Sequence, residues 1–425
     1  MKRLLFLPAF LLVGYLAQTR TTLSTGAPSL PPPIPSSKAT GASAVESKSL
    51  ARFVAVPNGQ TNSLGLTLPA GFQITTFAEG LNAPRRIAIV PNSSNKKGYD
   101  VAVSLSNNNQ VVLLRDSNGD GKSDSQSTLL SGLNQPYGIE FNQGFMYVAN
   151  TDALWKYPFT PGETKVSAAG KKLASFPTGG HGTRNLILDR TKTSLFVTVG
   201  SSCNRCEESQ PERAGISQIN LDGTGKHVVA SGIRNPTGLA RNPATSVLWT
   251  VVNERDGLGD DTPPDYFTSV GAGRFYGWPY AYTDINRKVV PDPDWGSKAP
   301  QKVAKTYAPD MPVQAHSAAL GVAFYPLDGV KFPAQYRGDA FLAFHGSWNR
   351  SQKTGYKIVR VDFANGKPVG MSDFVTGFLQ SGNSNWGRPV DIQVAPDGSL
   401  LFSDDQGGKI WRIAYVGTGP STQSA

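Results

Sequence analysis

Arg234-Asn-Pro-Thr-Gly-Leu-Ala240, followed by Val247-Leu-Trp-Thr-Val-Val252, is one copy of a pattern that decides the fold. A small or polar lead-in, often containing Pro, opens an alternating apolar strand, and a second strand rich in Val, Leu and Phe comes after it. Five further copies lead with Ala83-Pro-Arg-Arg-Ile-Ala-Ile89, Gln135-Pro-Tyr-Gly-Ile-Glu-Phe141, Gly182-Thr-Arg-Asn-Leu-Ile-Leu188, His316-Ser-Ala-Ala-Leu-Gly-Val322 and Gly387-Arg-Pro-Val-Asp-Ile-Gln393. Their second strands are Tyr99 to Val103, Phe145 to Ala149, Leu195 to Val199, Ala340 to Phe344 and Leu400 to Ser403. A third strand often comes next, as in Gln110 to Leu114, Leu154 to Tyr157, Ile216 to Leu221, Lys357 to Val361 and Lys409 to Ile413.

Period-2 alternation bounded by Gly, Asn and Asp marks short antiparallel strands. Six repeats of roughly 60 residues leave room for four strands each plus variable loops. A sandwich would not produce six equivalent lead-ins, and a parallel α/β fold needs helical periods that the chain lacks. The expectation is an all-β, six-bladed β-propeller with four-stranded antiparallel blades, spanning residues 51–418. The stretch from Tyr266 to Pro312 is the part whose blade strands the repeat does not assign.

Composition agrees. The 425 residues include 45 Gly and 31 Pro, 10% are aromatic and only 17% are charged, which excludes coiled coils and helical bundles. Lys2 and Arg3 precede an apolar run from Leu4 to Leu16. This has the layout of a secretory signal, read as residues 1–20. Residues 21–50, rich in Ser, Thr, Ala and Pro, read as a disordered linker, and 419–425 as a disordered tail. No later segment is apolar enough for a bilayer span, so an exported protein, periplasmic or extracellular, is expected. The net charge of +10 is scattered and not gathered in Lys/Arg runs. That argues against nucleic acid and for a small anionic ligand met by a few Arg residues.

In a propeller, equivalent positions of successive blades share one height around the channel. The lead-ins carry Arg85, Arg86, Gln135, His181, Arg184, Arg234, Asn235, His316 and Arg388. The turns after the second strands carry Asn107, Asn150, Ser201, Asn253 to Asp256, His345 to Arg350, and Asp404. Convergent polar groups at one mouth describe a ligand site. Three of the chain's four His fall in these two rings, where a neutral imidazole accepts a hydroxyl proton.

Cys203 and Cys206, the only cysteines, have no partner pair for zinc and no following His for haem. A local disulfide is expected. Asp116-Ser-Asn-Gly-Asp-Gly-Lys-Ser-Asp124 matches the start of a calcium loop but lacks the downstream Glu, and reads as a turn or a peripheral Ca²⁺ site. Asn253 to Asp261 reads as a cation loop whose Gly residues expose backbone carbonyls, or as a solvated acidic turn.

Eight motifs in order carry a family resemblance over about Leu66 to Tyr415. They are His181-Gly-Thr-Arg-Asn185, Val199-Gly-Ser-Ser-Cys-Asn204, Ile233-Arg-Asn-Pro-Thr-Gly-Leu239, Asn253-Glu-Arg-Asp256, Phe275-Tyr-Gly-Trp-Pro279, His316-Ser-Ala318, His345-Gly-Ser-Trp-Asn-Arg350 and Trp386-Gly-Arg-Pro389. The chain resembles the soluble pyrroloquinoline-quinone (PQQ) sugar dehydrogenases, particularly the sorbosone dehydrogenase-like branch. The resemblance implies the same propeller, PQQ assisted by Ca²⁺, and oxidation of an aldose or sugar-derived aldehyde at C1. It implies that His181 is the general base and that Arg234 and Asn235 meet the quinone oxygens. Gln135, Arg184, His316, Arg350 and Arg388 become further cofactor contacts, with Arg388 pairing a carboxylate. The backbone carbonyls of Asp256 and Gly257 become metal ligands. Ser201-Ser202 replaces an Asp that orients the base in better-studied sugar oxidases, and Asp256-Gly257 replaces a Gly-Pro.

The expected partners are a small sugar or aldehyde and an external electron acceptor, since the Cys pair cannot attach a haem. Two other readings fit the residues: a Ca²⁺-dependent propeller hydrolase of lactonase type, and a non-catalytic propeller that binds glycan or protein through its mouth.

Overall fold

Each of the six lead-ins quoted above opens the first strand of a four-stranded antiparallel sheet. The first strands are Pro84–Ile89, Ile139–Asn142, Leu186–Leu188, Pro236–Arg241, Ala319–Phe324 and Pro389–Val394, in blades one to six. The computed structural model describes residues 55–91 and 97–417. The expected leader 1–20, linker 21–50 and tail 419–425 lie outside the described residues, as do 51–54 and 418. Among the described residues no helix is long and apolar enough to cross a membrane.

The strands that follow are hydrophobic on both faces because both are covered by neighbouring blades. In Asp100–Leu105 every residue is buried, as in Leu248–Val252 and Ala340–Phe344. The core therefore lies between blades. Trp249 and Phe267 of blade four pack against Phe324 and Phe363 of blade five, with Trp249 and Phe267 centroids 4.7 Å apart. Full burial of each such ring is worth about 1.5–3 kcal/mol.

Two features escape the repeat. Blade six takes its outer strand from Phe72–Ala78, which pairs antiparallel with Lys409–Tyr415 and joins the two ends of the domain. In blade four the outer strand, Met311–Val313, lies far along the chain from its neighbour Asp265–Ser269. The intervening residues carry a hairpin of Ala281–Thr283 with Val289–Pro291 and the short helix Pro300–Ala304. That insertion is why Tyr266 to Pro312 resists the repeat.

In blades one, four, five and six the register slips just after the lead-in, at Pro84/Ile87, Pro236/Leu239, Ala319/Gly321 and Pro389/Ile392. A bulge bends its strand and re-aims the residues beside it. The lead-in side chains are thereby released from strict alternation, at the end of the strand where the polar rings sit.

Candidate active site

A cavity of about 320 Å³ is lined by His181, Arg234, Asn235, Asp256, His316 and Arg388, together with Arg85, Thr183, His345, Trp348 and Asn349. These come from blades one, three, four, five and six, so only the closed ring assembles them.

His181 stands before the first strand of blade three, facing the turn after that blade's second strand. Its Nδ1 lies 3.0 Å from both the carbonyl and the hydroxyl of Ser201. A carbonyl only accepts, so Nδ1 carries the proton and Nε2 keeps the lone pair. Burial first, then the Arg234 cation, lowers the imidazole to about 4. Gly200 makes the fit possible. A Cβ there would stand 2.6 Å from both His181 Cβ and Asn235 Oδ1.

Arg234 is buried with all five N–H groups directed at protein oxygens. Nε donates to the Asn204 carbonyl (3.1 Å), and Nη1 to the carbonyls of Glu254 (2.7 Å) and Asn253 (3.3 Å). Nη2 donates to Asn204 Oδ1 (3.0 Å) and Asp256 Oδ2 (3.3 Å). Burial pushes the Asp256 carboxyl up, but His316, Arg234 and Asn349 together hold it below the usual range. His316 itself is raised, chiefly by Asp256, and its Nε2 sits 3.0 Å from the Gly259 carbonyl.

Arg388 donates to the carbonyls of His345 and Gly346, both at 3.2 Å. Among the described residues no carboxylate lies within ion-pair distance of it. His345 Nε2 contacts both oxygens of Asp405 at 3.0 Å, and Arg85 takes the same carboxylate at 2.6 Å.

Four expected contacts do not line this cavity. Arg184 stands outside it. Its side chain is wholly buried and donates to the carbonyls of His181 (2.7 Å), Thr183 (2.8 Å) and Pro177 (2.8 Å). The turn before blade three leaves those carbonyls without strand partners, and the guanidinium satisfies them. Burial lowers it to about 10. It braces the turn that carries His181. Arg350 is spent on the Asp260 carbonyl and on Asp261 (2.9 Å). Gln135 is exposed on the rim between Asn109 and Thr151. Gly257 is exposed beside the cavity. The Asp256 carbonyl, expected to face a metal, already accepts from Asn204 Nδ2 (3.0 Å) and Arg255 Nε (3.3 Å).

Cys203 and Cys206 form the expected disulfide. With Glu208 they are the only group of three His, Cys, Asp or Glu side chains close enough to share a metal among the described residues, and a disulfide offers no thiolate. In the Asp116 loop the carboxylate of Asp116 accepts the amides of Gly119 (2.7 Å) and Gly121 (3.0 Å), as a turn requires. Sequence reasoning gave no role to Asn204, Asp265, Trp348 or Asn349. Asn204, Trp348 and Asn349 had a signal, their places inside the quoted family motifs, and Asp265 had none.

Relatives agree with this architecture. An uncharacterised protein of Borreliella burgdorferi is 33% identical, over 68% of this chain and 78% of its own. A pyrroloquinoline quinone-dependent sugar dehydrogenase of Hypocrea jecorina is 24% identical, over 83% and 91%. Among solved structures, the calcium form of a Trichoderma reesei carbohydrate-active enzyme of family AA12 superposes with a TM-score of 0.71 at 20% identity, covering 85% of this chain and all of that one. The holo PQQ domain of a Coprinopsis cinerea pyranose dehydrogenase gives 0.70 at 19%, with the same coverage. At such identities the structures share a fold. The family is fixed by a separate match, which runs through both polar rings from residue 66 to residue 416 and carries the description TrAA12-like: this chain belongs to the TrAA12-like family.

Proposed function

We propose that the protein is an exported PQQ-dependent dehydrogenase that oxidises an aldose or sugar-derived aldehyde at C1, assisted by Ca²⁺, and passes electrons to an external acceptor. One observation carries this reading. A half-buried imidazole, kept neutral with its Nε2 lone pair available, lines the same cavity as Arg388, a cation with no carboxylate partner among the described residues. The sugar dehydrogenases among the relatives supply the substrate class and the cofactor.

The residues fit that cofactor. Its carboxylates suit Arg388 through charge-assisted pairing. Among the described residues Asn235 Oδ1 and Asn349 Oδ1 are buried without a hydrogen-bond partner, and such amide oxygens suit a hard cation or a ligand N–H. When bound, the cofactor would supply a two-electron acceptor for the C1 hydride, and Ca²⁺ would supply Lewis acidity.

The chain's own groups do the rest. His181 Nε2 takes the proton from the C1 hydroxyl as the C1–H bond breaks, while Ser201 holds the ring through Nδ1. Arg234, fixed on all sides, provides a standing positive potential where negative charge grows, without reorganising during the reaction. Trp348, 76% exposed at the cavity rim, offers an apolar face to a pyranose ring.

The test is reconstitution. Purified protein mixed with PQQ and Ca²⁺ should retain quinone absorbance through gel filtration and reduce a dye with at least one aldose. No retained quinone and no turnover across a panel of aldoses and aldehydes would refute the reading.

A further inference from the structure

The turn carrying Cys203 and Cys206 does more than close itself. Ser201 Oγ, 3.0 Å from His181 Nδ1, donates to the Cys203 carbonyl at 2.6 Å. The Ser201 amide donates to the Arg234 carbonyl at 2.8 Å. One residue further into the turn, Asn204 uses every polar atom of its side chain on the neighbouring blade. Its Oδ1 accepts from Arg234 Nη2 (3.0 Å) and the Asp256 amide (2.8 Å), and its Nδ2 donates to the Asp256 carbonyl (3.0 Å). Its backbone carbonyl takes Arg234 Nε (3.1 Å) and Trp278 Nε1 (3.0 Å). The cation and the acid that line the cavity are thus both held by one short turn of blade three, although both belong to blade four.

A disulfide over three residues closes too small a loop to add much global stability. Its effect is to fix the path of the Cys203 to Cys206 backbone, and hence the Asn204 carbonyl and side chain. Both cysteines are half-buried and within reach of solvent.

We propose that Asn204, held by the Cys203–Cys206 disulfide, is a positioning residue that sets Arg234 and the Asp256 segment for cofactor binding and turnover. The proposal rests on the quinoprotein reading given above, so its test includes a measurement that needs no cofactor. In the cofactor-free full-length protein, hydrogen–deuterium exchange over residues 253–257 reports the Asp256 amide that Asn204 Oδ1 accepts. Asn204→Ala, the Cys203→Ser/Cys206→Ser pair, and wild type reduced with a phosphine should all exchange faster there than oxidised wild type. Thermal melting should change little. The reduced wild type covers the case in which a variant fails to fold.

The second measurement is PQQ titration in Ca²⁺ buffer. Removing a group that holds a ligand-binding side chain commonly weakens the site about 10–100-fold, and the dissociation constant of Asn204→Ala should rise on that scale. At saturating PQQ its kcat should fall with the sugar KM nearly unchanged, a split that lost stability alone would not give. Unchanged exchange at 253–257 in all three forms, or a wild-type PQQ affinity in Asn204→Ala, would overturn the proposal. If wild type itself binds no PQQ, the functional reading falls, and the exchange data still decide whether Asn204 positions the segment.

Discussion

His181 and His345 are the same residue type, both half-buried at one cavity, and both lowered to about 4 with burial as the first cause. Their partners differ. His181 leans on a neutral carbonyl and hydroxyl, with Arg234 as its charged neighbour. His345 leans on Asp405, which Arg85 also grips. The blade-three region presents a lone-pair nitrogen in a fixed orientation with little charge compensation. The blade-five region sets its imidazole against the Arg85–Asp405 ion pair, and its backbone carbonyls at His345 and Gly346 hold Arg388. Burial alone therefore does not tell a base from a scaffold; the chemistry of the partner does.

Substitution separates the two. His181→Ala should lower kcat by about 10²–10⁴-fold with PQQ retention nearly unchanged, because the residue handles only the proton. His345→Ala should keep kcat within about tenfold while lowering the melting temperature, since Asp405 loses a half-buried partner. Steady-state rate and bound-quinone absorbance on the same preparations check both. Near-normal turnover in His181→Ala would reverse the assignment and make the blade-five imidazole the base.

Arg388→Ala attacks the scaffold side. Losing one charge-assisted contact costs about 1.5–3 kcal/mol, so PQQ affinity should drop roughly 10- to 100-fold. The kcat at saturating cofactor should move much less. A titration of each protein with PQQ measures this directly, and an unchanged affinity would take Arg388 out of the cofactor site.

The pH dependence sharpens the same contrast. A base lowered to about 4 is unprotonated above that value and gains its proton as pH falls through it. The acid limb of kcat/KM should therefore lie near pH 4, about two units below that of an unperturbed imidazole. An acid limb near 6.5 would show that burial and Arg234 do not act on the base as the geometry requires. Trp348→Ala should have the smallest effect. Stacking is worth about 0.5–1.5 kcal/mol, which predicts a few-fold rise in sugar KM with kcat and cofactor affinity unchanged.

Much of this was legible from the sequence. The alternation that marks each first strand is a local property of the pleat, and repeating it six times fixed both the blade count and the height at which His181, Arg234, Asn235, His316 and Arg388 converge. The strand Phe72–Ala78 gave no such signal as the outer member of blade six, because its partner lies more than 300 residues away and antiparallel pairing leaves no mark on either strand alone.

The sequence by itself determined the class of fold, the polar rings and the local disulfide, all of which depend on neighbours a few residues apart. Tertiary structure decided which ring members line the cavity. Arg184 and Arg388 occupy similar lead-ins, yet one fills with the carbonyls of its own turn and the other lines the cavity without a carboxylate partner. Asn204 met its partners only where blade three lies against blade four. A long polar side chain is directed by the acceptors within its reach, and those are supplied by whichever distant segments the closed ring brings alongside.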